Sequence, residues 1–359
     1  MNKEQLKSYG LTNELVELVS TNTESLTLGR VIGQNRTLYN VVTAQGFLKA
    51  SVSGRLNNLA IDAQDYPAVG DWVGLRVGGS QQDTAVIERL FPRHSLFLRK
   101  AAGRKTTAQI VAANVDTIFI CMALDANYNL NRLERYLVVA WDSGATPVVV
   151  LTKADLAQNY DQQIADVINI AAGAEVVACS TTDESWQKVT TFVHPGKTIA
   201  FIGSSGVGKT TLINHLMGSK VGSTQAVRTG DAHGRHTTTG RELLVLPSGG
   251  IVIDTPGMRE LALLNGDFET TFEDIEELAQ QCKFNDCTHT TEPGCAVQAA
   301  IEAGTLTSDR LHNYQTLKKE ATVNQNLRGK ARENAKLTKM FGSKQKMKAF
   351  VKAKRQQRR

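Results

Sequence analysis

The chain has no apolar run approaching the roughly 18–20 residues that a membrane-spanning helix needs, and its opening residues do not resemble an export signal. Cysteine is scarce. The 359 residues contain five, Cys121, Cys179, Cys282, Cys287 and Cys295, an odd number with three clustered near the end. That usage argues against a disulfide framework and for a metal site in a reducing compartment. The expectation is therefore a cytoplasmic protein with no membrane partner. Charge is also sparse in one respect: the net value of +6 is small. Its distribution is not even. From Lys318 to Arg359 there are 15 Lys/Arg and two acids, which leaves the rest of the chain at about −7 and the tail at about +13. An acidic body with a basic tail points to a polyanionic partner, most often nucleic acid. The length exceeds one average domain, so two or three are expected, and 41% hydrophobic residues are enough to give each a core.

The most informative stretch is Phe201-Ile202-Gly203-Ser204-Ser205-Gly206-Val207-Gly208-Lys209-Thr210-Thr211. It fits G-x-x-x-x-G-K-[ST] and lies between an apolar run, Lys197–Ile202, and a helical pattern carried by Leu212, Ile213, Leu216 and Met217. Strand, glycine loop and helix together form a phosphate site, in which backbone N–H groups and a helix N-terminus close around the anion. Lys209 would reach the β/γ-phosphates, and the Thr210 hydroxyl would take one Mg²⁺ position. An ordinary glycine-rich turn is the plain alternative, and the full match with both flanks disfavours it.

Around that loop the pattern is strand alternating with helix, which implies a parallel sheet covered on both faces. Asn114–Ala123 and Thr146–Leu151 read as buried strands. At the end of the second stands Thr152-Lys153-Ala154-Asp155, similar to the guanine-reading Asn-Lys-x-Asp of GTPases, with Thr152 in place of Asn. The Asp155 carboxylate can accept from both the ring N–H and the exocyclic amine of guanine, and adenine offers no such pair of donors. Lys153 would lay its stem along the base. Glu175–Thr181 reads as a further strand whose small polar end could complete the base pocket. Cys121 and Cys179 read as packing thiols. Ile251–Gly257 is a strand ending in Asp-x-x-Gly, where Asp254 would hold Mg²⁺ and the Gly257 N–H would sense the γ-phosphate. The polar loop Gly234–Gly240 supplies Thr238 as the switch threonine for Mg²⁺ and γ-phosphate. Met258 follows the Asp-x-x-Gly, and a methionine cannot orient water. His236 is the nearest polar candidate, as base or as orienter. The base-reading element precedes the phosphate loop, the reverse of the usual GTPase order. A circular permutation gives the same sheet, because domain ends usually lie near each other.

Before these motifs, Leu28–Ile32, Leu38–Val42, Phe47–Val52, Asp71–Val77 and Ala85–Leu90 alternate with period two. Five short strands suggest a small closed barrel of the oligonucleotide-binding (OB) type. A single short helix is expected ahead of it. Arg30, Arg36, Tyr39, Lys49 and Arg55 could form an RNA-binding face of that barrel, and are equally well explained as its solvated side. Phe91–Gln109 reads as a basic linker, with His94 a surface or packing histidine. After the nucleotide motifs, Cys282, Cys287, His289 and Cys295 supply the donor set of a closed tetrahedral Zn²⁺ site of structural type. The basic stretch after Leu311 reads as weakly amphipathic helix segments with a frayed end, a plausible rRNA contact.

Taken together, the permuted order, Gly203–Thr210, the Gly-Arg-His-Thr-Thr-Thr loop, Asp254–Gly257 and the three-cysteine, one-histidine set make the chain resemble the ribosome small-subunit-dependent GTPase A family (RsgA, YjeQ, YloQ) over essentially its full length. The resemblance implies a multidomain fold: an N-terminal five-stranded OB-type β-barrel, a circularly permuted α/β P-loop GTPase domain and a C-terminal α-helical zinc-binding domain. The expected divisions are 1–98 for the barrel with its N-terminal helix, 99–265 for the GTPase domain, 266–317 for the zinc domain and 318–359 for the basic tail. It implies a GTP hydrolase acting in late maturation of the small ribosomal subunit, stimulated by that subunit and its rRNA and then released. The cofactors would be GTP as substrate, Mg²⁺ and one structural Zn²⁺, and the chain would act as a monomer. His236, Lys209 and Gly257 carry the catalytic roles. Thr152, Lys153, Asp155, Gly203, Ser204, Ser205, Gly206, Val207, Gly208, Lys209, Thr210, Thr211 and Thr238 would line the nucleotide, with Thr210, Thr238 and Asp254 on Mg²⁺. Two other readings stay open on residues alone: a nucleotide-switched RNA-binding module with negligible turnover, and an ATPase.

Overall fold

Alternation of apolar and polar residues from Thr27 onward produces strands that roll up on themselves. A computed structural model describes residues 3–20, 26–35, 37–78, 84–100, 108–218, 242–254 and 261–341. In it β1 (Thr27–Asn35), β2 (Leu38–Thr43), β3 (Gly46–Val52), β4 (Trp72–Arg76) and β5 (Ala85–Leu90) run in the order β1-β2-β3-β5-β4. Antiparallel pairing of β4 with β1 closes the barrel. Val31, Val41, Val73, Leu75 and Ile87 fill the interior. Tyr39 packs there too, so it offers no outer RNA-binding face. Arg30 is also removed from that face, since it is 2% exposed at the barrel's junction with the next domain. Lys49 and Arg55 are exposed, and Arg36 lies outside the described residues.

Two helices precede the barrel where one was expected. α1 (Lys3–Ser8) and α2 (Asn13–Ser20) are separated at Gly10, whose φ of +80° a side chain would strain. The break lets Leu6 from α1 and Leu15 and Val19 from α2 pack on Trp72 and Phe91. A short α3 (Gly54–Leu59) follows β3, capped by Ser53, whose Oγ accepts from the Leu56 N–H at 3.1 Å. The basic stretch after Phe91 is not a featureless linker. β6 (Leu96–Lys100) and β7 (Ala108–Ala113) form an antiparallel hairpin whose Phe97 and Val111 are buried in the core of the next domain.

That domain is a doubly covered sheet. β8 (Thr117–Ala123), α4 (Leu130–Asp142), β9 (Thr146–Thr152), α5 (Tyr160–Ile170), β10 (Glu175–Ala178), β11 (Thr198–Ile202), α6 (Lys209–Met217), β12 (Glu242–Val245) and β13 (Ile251–Asp254) follow in chain order. The spatial order is β10-β9-β8-β11-β13-β12, parallel throughout except for the edge strand β12. Continuous apolar strands such as Ile118–Ala123 are buried on both faces, one core lying under α4 and α5 and the other under α6. β12 also touches β1 of the barrel at Gly33↔Glu242.

The C-terminal region contains α7 (Phe268–Thr271), α8 (Glu273–Ala279), α9 (Ala296–Glu302) and α10 (Ser308–Phe341). The last is one 34-residue helix, not several segments, about 50 Å long at a helical rise of about 1.5 Å per residue. Its first half packs on α4, and its second half reaches the barrel. There Arg332 Nε lies 3.3 Å from Asp62 Oδ2 and Lys339 Nζ donates to the Asn57 carbonyl at 3.1 Å.

Candidate functional site

The phosphate loop begins where β11 ends. Gly203 has φ +144°, and a Cβ there would sit 2.3 Å from the Cys121 carbonyl oxygen at the neighbouring strand, so only glycine fits. Gly206 and Gly208 also hold positive φ, and α6 starts directly at Lys209. The Lys209 side chain folds back over the loop and donates from Nζ to the carbonyls of Gly203 (2.7 Å) and Ser204 (2.6 Å). Ser205, Gly206, Thr210 and Thr211 are exposed along the same turn, Ser204 is half-buried and Val207 is buried. Positive-φ glycines before a helix N-terminus, with a lysine folded over them, have the form of an anion cradle.

The Thr152-Lys153-Ala154-Asp155 segment sits against it. Thr152, 1% exposed at the end of β9, donates from Oγ1 to the Val207 carbonyl at 2.6 Å. A hydroxyl in place of the usual carboxamide thus ties Thr152-Lys153-Ala154-Asp155 directly to the phosphate loop. Lys153 takes a left-handed backbone (φ +56°), and its Nζ pairs with Asp125 Oδ2 at 2.8 Å. Asp155 accepts from Ser180 Oγ at 2.5 Å, and the Ala154 N–H donates to the Cys179 carbonyl at 3.2 Å. The loop after β10 therefore lies beside Asp155 and orients its carboxylate. All of these groups stand at the carboxyl ends of adjacent parallel strands, where open α/β sheets bind ligands. Asp125 was not singled out from sequence, although its place just past β8 at the same rim was a usable signal. Cys121 and Cys179 are buried, and burial pushes their thiols up to about 12 and about 11, so they are packing groups and not nucleophiles.

His236, Thr238, Gly257 and Met258 lie outside the described residues. Asp254 closes β13, and the Ile253 before it is paired in register with Ala200 of β11, which brings the end of β13 to the side of the phosphate loop.

The four metal-ligand candidates converge. The donor atoms of Cys282, Cys287, His289 and Cys295 all lie within 4.8 Å of one another. Cys282 Sγ is 3.9 Å from Cys295 Sγ and 3.6 Å from His289 Nδ1, while Cys295 Sγ is 3.5 Å from His289 Nδ1. Tetrahedral thiolate ligands at about 2.3 Å from a zinc ion would be about 3.8 Å apart, so the spacing fits a metal centre. His289 adopts φ +59°, and Gln298 Nε2 donates to its carbonyl at 2.6 Å, which fixes the knuckle.

Two junctions that sequence patterning did not reveal tie α10 to the sheet domain. Arg310 of α10 pairs with Glu134 of α4 (2.5 Å) and with Asp274 of α8 (2.7 Å). Beyond Asp254–Gly257, the Leu263 N–H donates to Glu320 Oε1 at 3.0 Å and the Leu263 carbonyl accepts from Asn324 Nδ2 at 2.8 Å. Arg135 Nη1 donates to the Leu261 carbonyl at 3.2 Å and pairs with Glu320 at 2.9 Å. The segment at 261–263, which follows Asp254–Gly257 in the sequence, is thus clamped between α4 and α10.

With this geometry in view, comparison with known proteins is specific. The RsgA GTPase family model matches residues 90–264. An ABC transporter model also matches, over residues 186–357, a stretch that begins just before the same phosphate loop. The small ribosomal subunit biogenesis GTPase RsgA 2 of Lactiplantibacillus plantarum is 49% identical over 96% of this chain and 96% of its own. RsgA 1 of Oceanobacillus iheyensis is 45% identical over 82% and 84%. Among solved structures, YjeQ from Thermotoga maritima superposes with a TM-score of 0.59 at 26% identity, over 82% of this chain and 98% of that one. YloQ, described as a circularly permuted GTPase, superposes equally well (TM-score 0.59) at 25% identity over 83% and 96%.

Proposed function

The chain belongs to the RsgA family of small ribosomal subunit biogenesis GTPases, and from that premise we propose that it hydrolyses GTP on the small subunit during the subunit's maturation. Subunit RNA would stimulate the hydrolysis, and release would follow it. The observation that carries this reading is the 2.6 Å hydrogen bond from Thr152 to the Val207 carbonyl, which joins purine selection and phosphate binding into one site.

In that site Asp155, held by Ser180, accepts the two guanine N–H donors, and Lys153 covers the base. Gly203 to Thr211 wrap the phosphates. Lys209, which the loop carbonyls hold in place, neutralises the charge that grows on the β/γ-bridging region. Thr210, Thr238 and Asp254 would hold Mg²⁺, which would supply charge neutralisation on the transferring phosphoryl group. Gly257 senses the γ-phosphate, and His236 positions or deprotonates the attacking water in place of the glutamine that Met258 replaces. Cys282, Cys287, His289 and Cys295 hold Zn²⁺ as a structural staple, since four protein ligands leave no open position. The basic residues after Lys318 contact rRNA, and the chain works as a monomer in the cytoplasm.

Turnover of GTP measured with and without purified small subunits tests the proposal. Stimulation that weakens with rising salt is expected. Equal rates with and without subunits across a range of salt would refute it.

A further inference from the structure

We propose that the cleft between α4 and α10, beside Leu261 and Ala262, is a seat for one RNA backbone phosphate. The cleft has a volume of about 440 Å³ and is lined by Arg132, Arg135, Tyr136, Leu261, Asn313 and Glu320 among others. Tyr136 is 3% exposed, yet its hydroxyl has no hydrogen-bond partner among the described residues. A buried hydroxyl without a partner costs stability and marks a place where something else supplies the acceptor. Burial pushes the Tyr136 hydroxyl above the usual phenol range, against the opposing pull of the Arg132 and Arg135 charges.

The two arginines stand three residues apart on α4 and share a face. Each guanidinium carries five N–H donors. Among the described residues, Arg132 commits Nη2 to the Asn127 carbonyl, and Arg135 commits Nη1 to Leu261 and Glu320. Two guanidinium charges against the single Glu320 carboxylate leave one positive charge in excess. That matches a phosphodiester, which carries one negative charge, better than a doubly charged terminal phosphate. Non-bridging oxygens would accept from Arg132, Arg135 and the Tyr136 hydroxyl together.

The position gives the contact a consequence. Arg135 holds the Leu261 carbonyl and Glu320, and Glu320 holds the Leu263 N–H. A phosphate that draws Arg135 toward itself loosens this clamp and frees the segment that follows Asp254–Gly257. RNA docking is thereby reported to the nucleotide end. The inference rests on the proposed docking to small-subunit RNA, so its test has an arm independent of turnover.

The full chain, as wild type, Tyr136→Phe and Arg132→Gln, is titrated with a short single-stranded RNA over a range of salt, and GTP turnover is measured with small subunits. Arg132→Gln is expected to weaken RNA binding about tenfold and to flatten the salt slope by about 0.7. Tyr136→Phe is expected to weaken it about threefold. Its melting temperature without RNA should not fall, since the change removes only an unpartnered group. Both variants should show a smaller ratio of stimulated to intrinsic turnover. Wild-type affinity and slope in both variants would overturn the site, and a fall in stability of Tyr136→Phe with unchanged RNA binding would do the same. If inorganic phosphate at fixed ionic strength stabilises wild type but not the variants, while RNA affinity is equal in all three, the site takes small phosphates and the RNA assignment is wrong. Wild type that binds RNA but ignores subunits would refute the functional proposal, and the RNA arm would still decide the site.

Discussion

The GTPase sheet is joined to its neighbours in two different ways. On the barrel side the joint combines backbone pairing of β1 with β12 and a buried cation facing neutral acceptors. Arg30 donates from Nε to the Gly70 carbonyl (3.1 Å), from Nη1 to the Tyr9 carbonyl (2.5 Å) and from Nη2 to Thr198 Oγ1 (2.8 Å) and the Asn114 carbonyl (3.3 Å). Its guanidinium also stacks over Trp72. Burial lowers its pKa to about 10, against the pull of Asp116 and Asp71. On the C-terminal side the joint carries opposite charges, Arg310 of α10 with Glu134 of α4 and Arg135 of α4 with Glu320 of α10, while Arg332 of α10 pairs with Asp62 and Asp65 of the barrel. Neutral acceptors fixed by the backbone give a permanent joint. The partly exposed Arg135–Glu320 pair, which holds the segment at 261–263, can be competed for by another anion, whereas the Arg310–Glu134 pair is buried.

Breaking each joint should separate the two kinds. Arg310→Ala leaves Glu134 buried without its cation and should cost about 3–5 kcal/mol, read as lost hydrogen-exchange protection in α7–α10 with the barrel unaffected. Arg30→Met strands several buried acceptors and should cost about 2–3 kcal/mol. Denaturation in low and high salt should give the same loss, because no exposed ion pair is involved. A strong salt dependence there would erase the distinction. Glu320→Gln weakens a half-exposed pair worth about 1 kcal/mol or less. Its mark is faster exchange of the Leu263 amide, a difference that should shrink as salt rises.

The contrast also separates what could be read from the sequence and what could not. The glycine loop was legible because its chemistry is local: Gly203, Gly208 and Lys209 lie within seven residues and perform one task. The metal knuckle was legible for the same reason. The five barrel strands followed from period-two alternation. Arg30 was misread as a candidate RNA contact because an arginine on a strand usually faces water. Its partners Gly70, Asn114 and Thr198 lie 40, 84 and 168 residues away, and no local pattern encodes them. Tyr39 was misplaced because an aromatic on a small barrel fits either surface or core. The β6–β7 hairpin was hidden by Arg99 and Lys100, whose charge masked the apolar Leu96-Phe97-Leu98. The role of Thr152 emerged only from the fold, because the hydroxyl's usefulness depends on the Val207 carbonyl reaching it from the phosphate loop.

The central claim is that Asp155 and the phosphate loop form one guanine-nucleotide site. The direct test is the relative affinity of wild type and Asp155→Asn for GTP and xanthosine triphosphate. Exchanging the carboxylate for a carboxamide should shift preference from GTP toward xanthosine triphosphate by at least about a hundredfold, since mismatched buried donors and acceptors discriminate strongly. Unchanged preference for GTP in the variant would mean that Asp155 does not read the base, and the account of the site would fail.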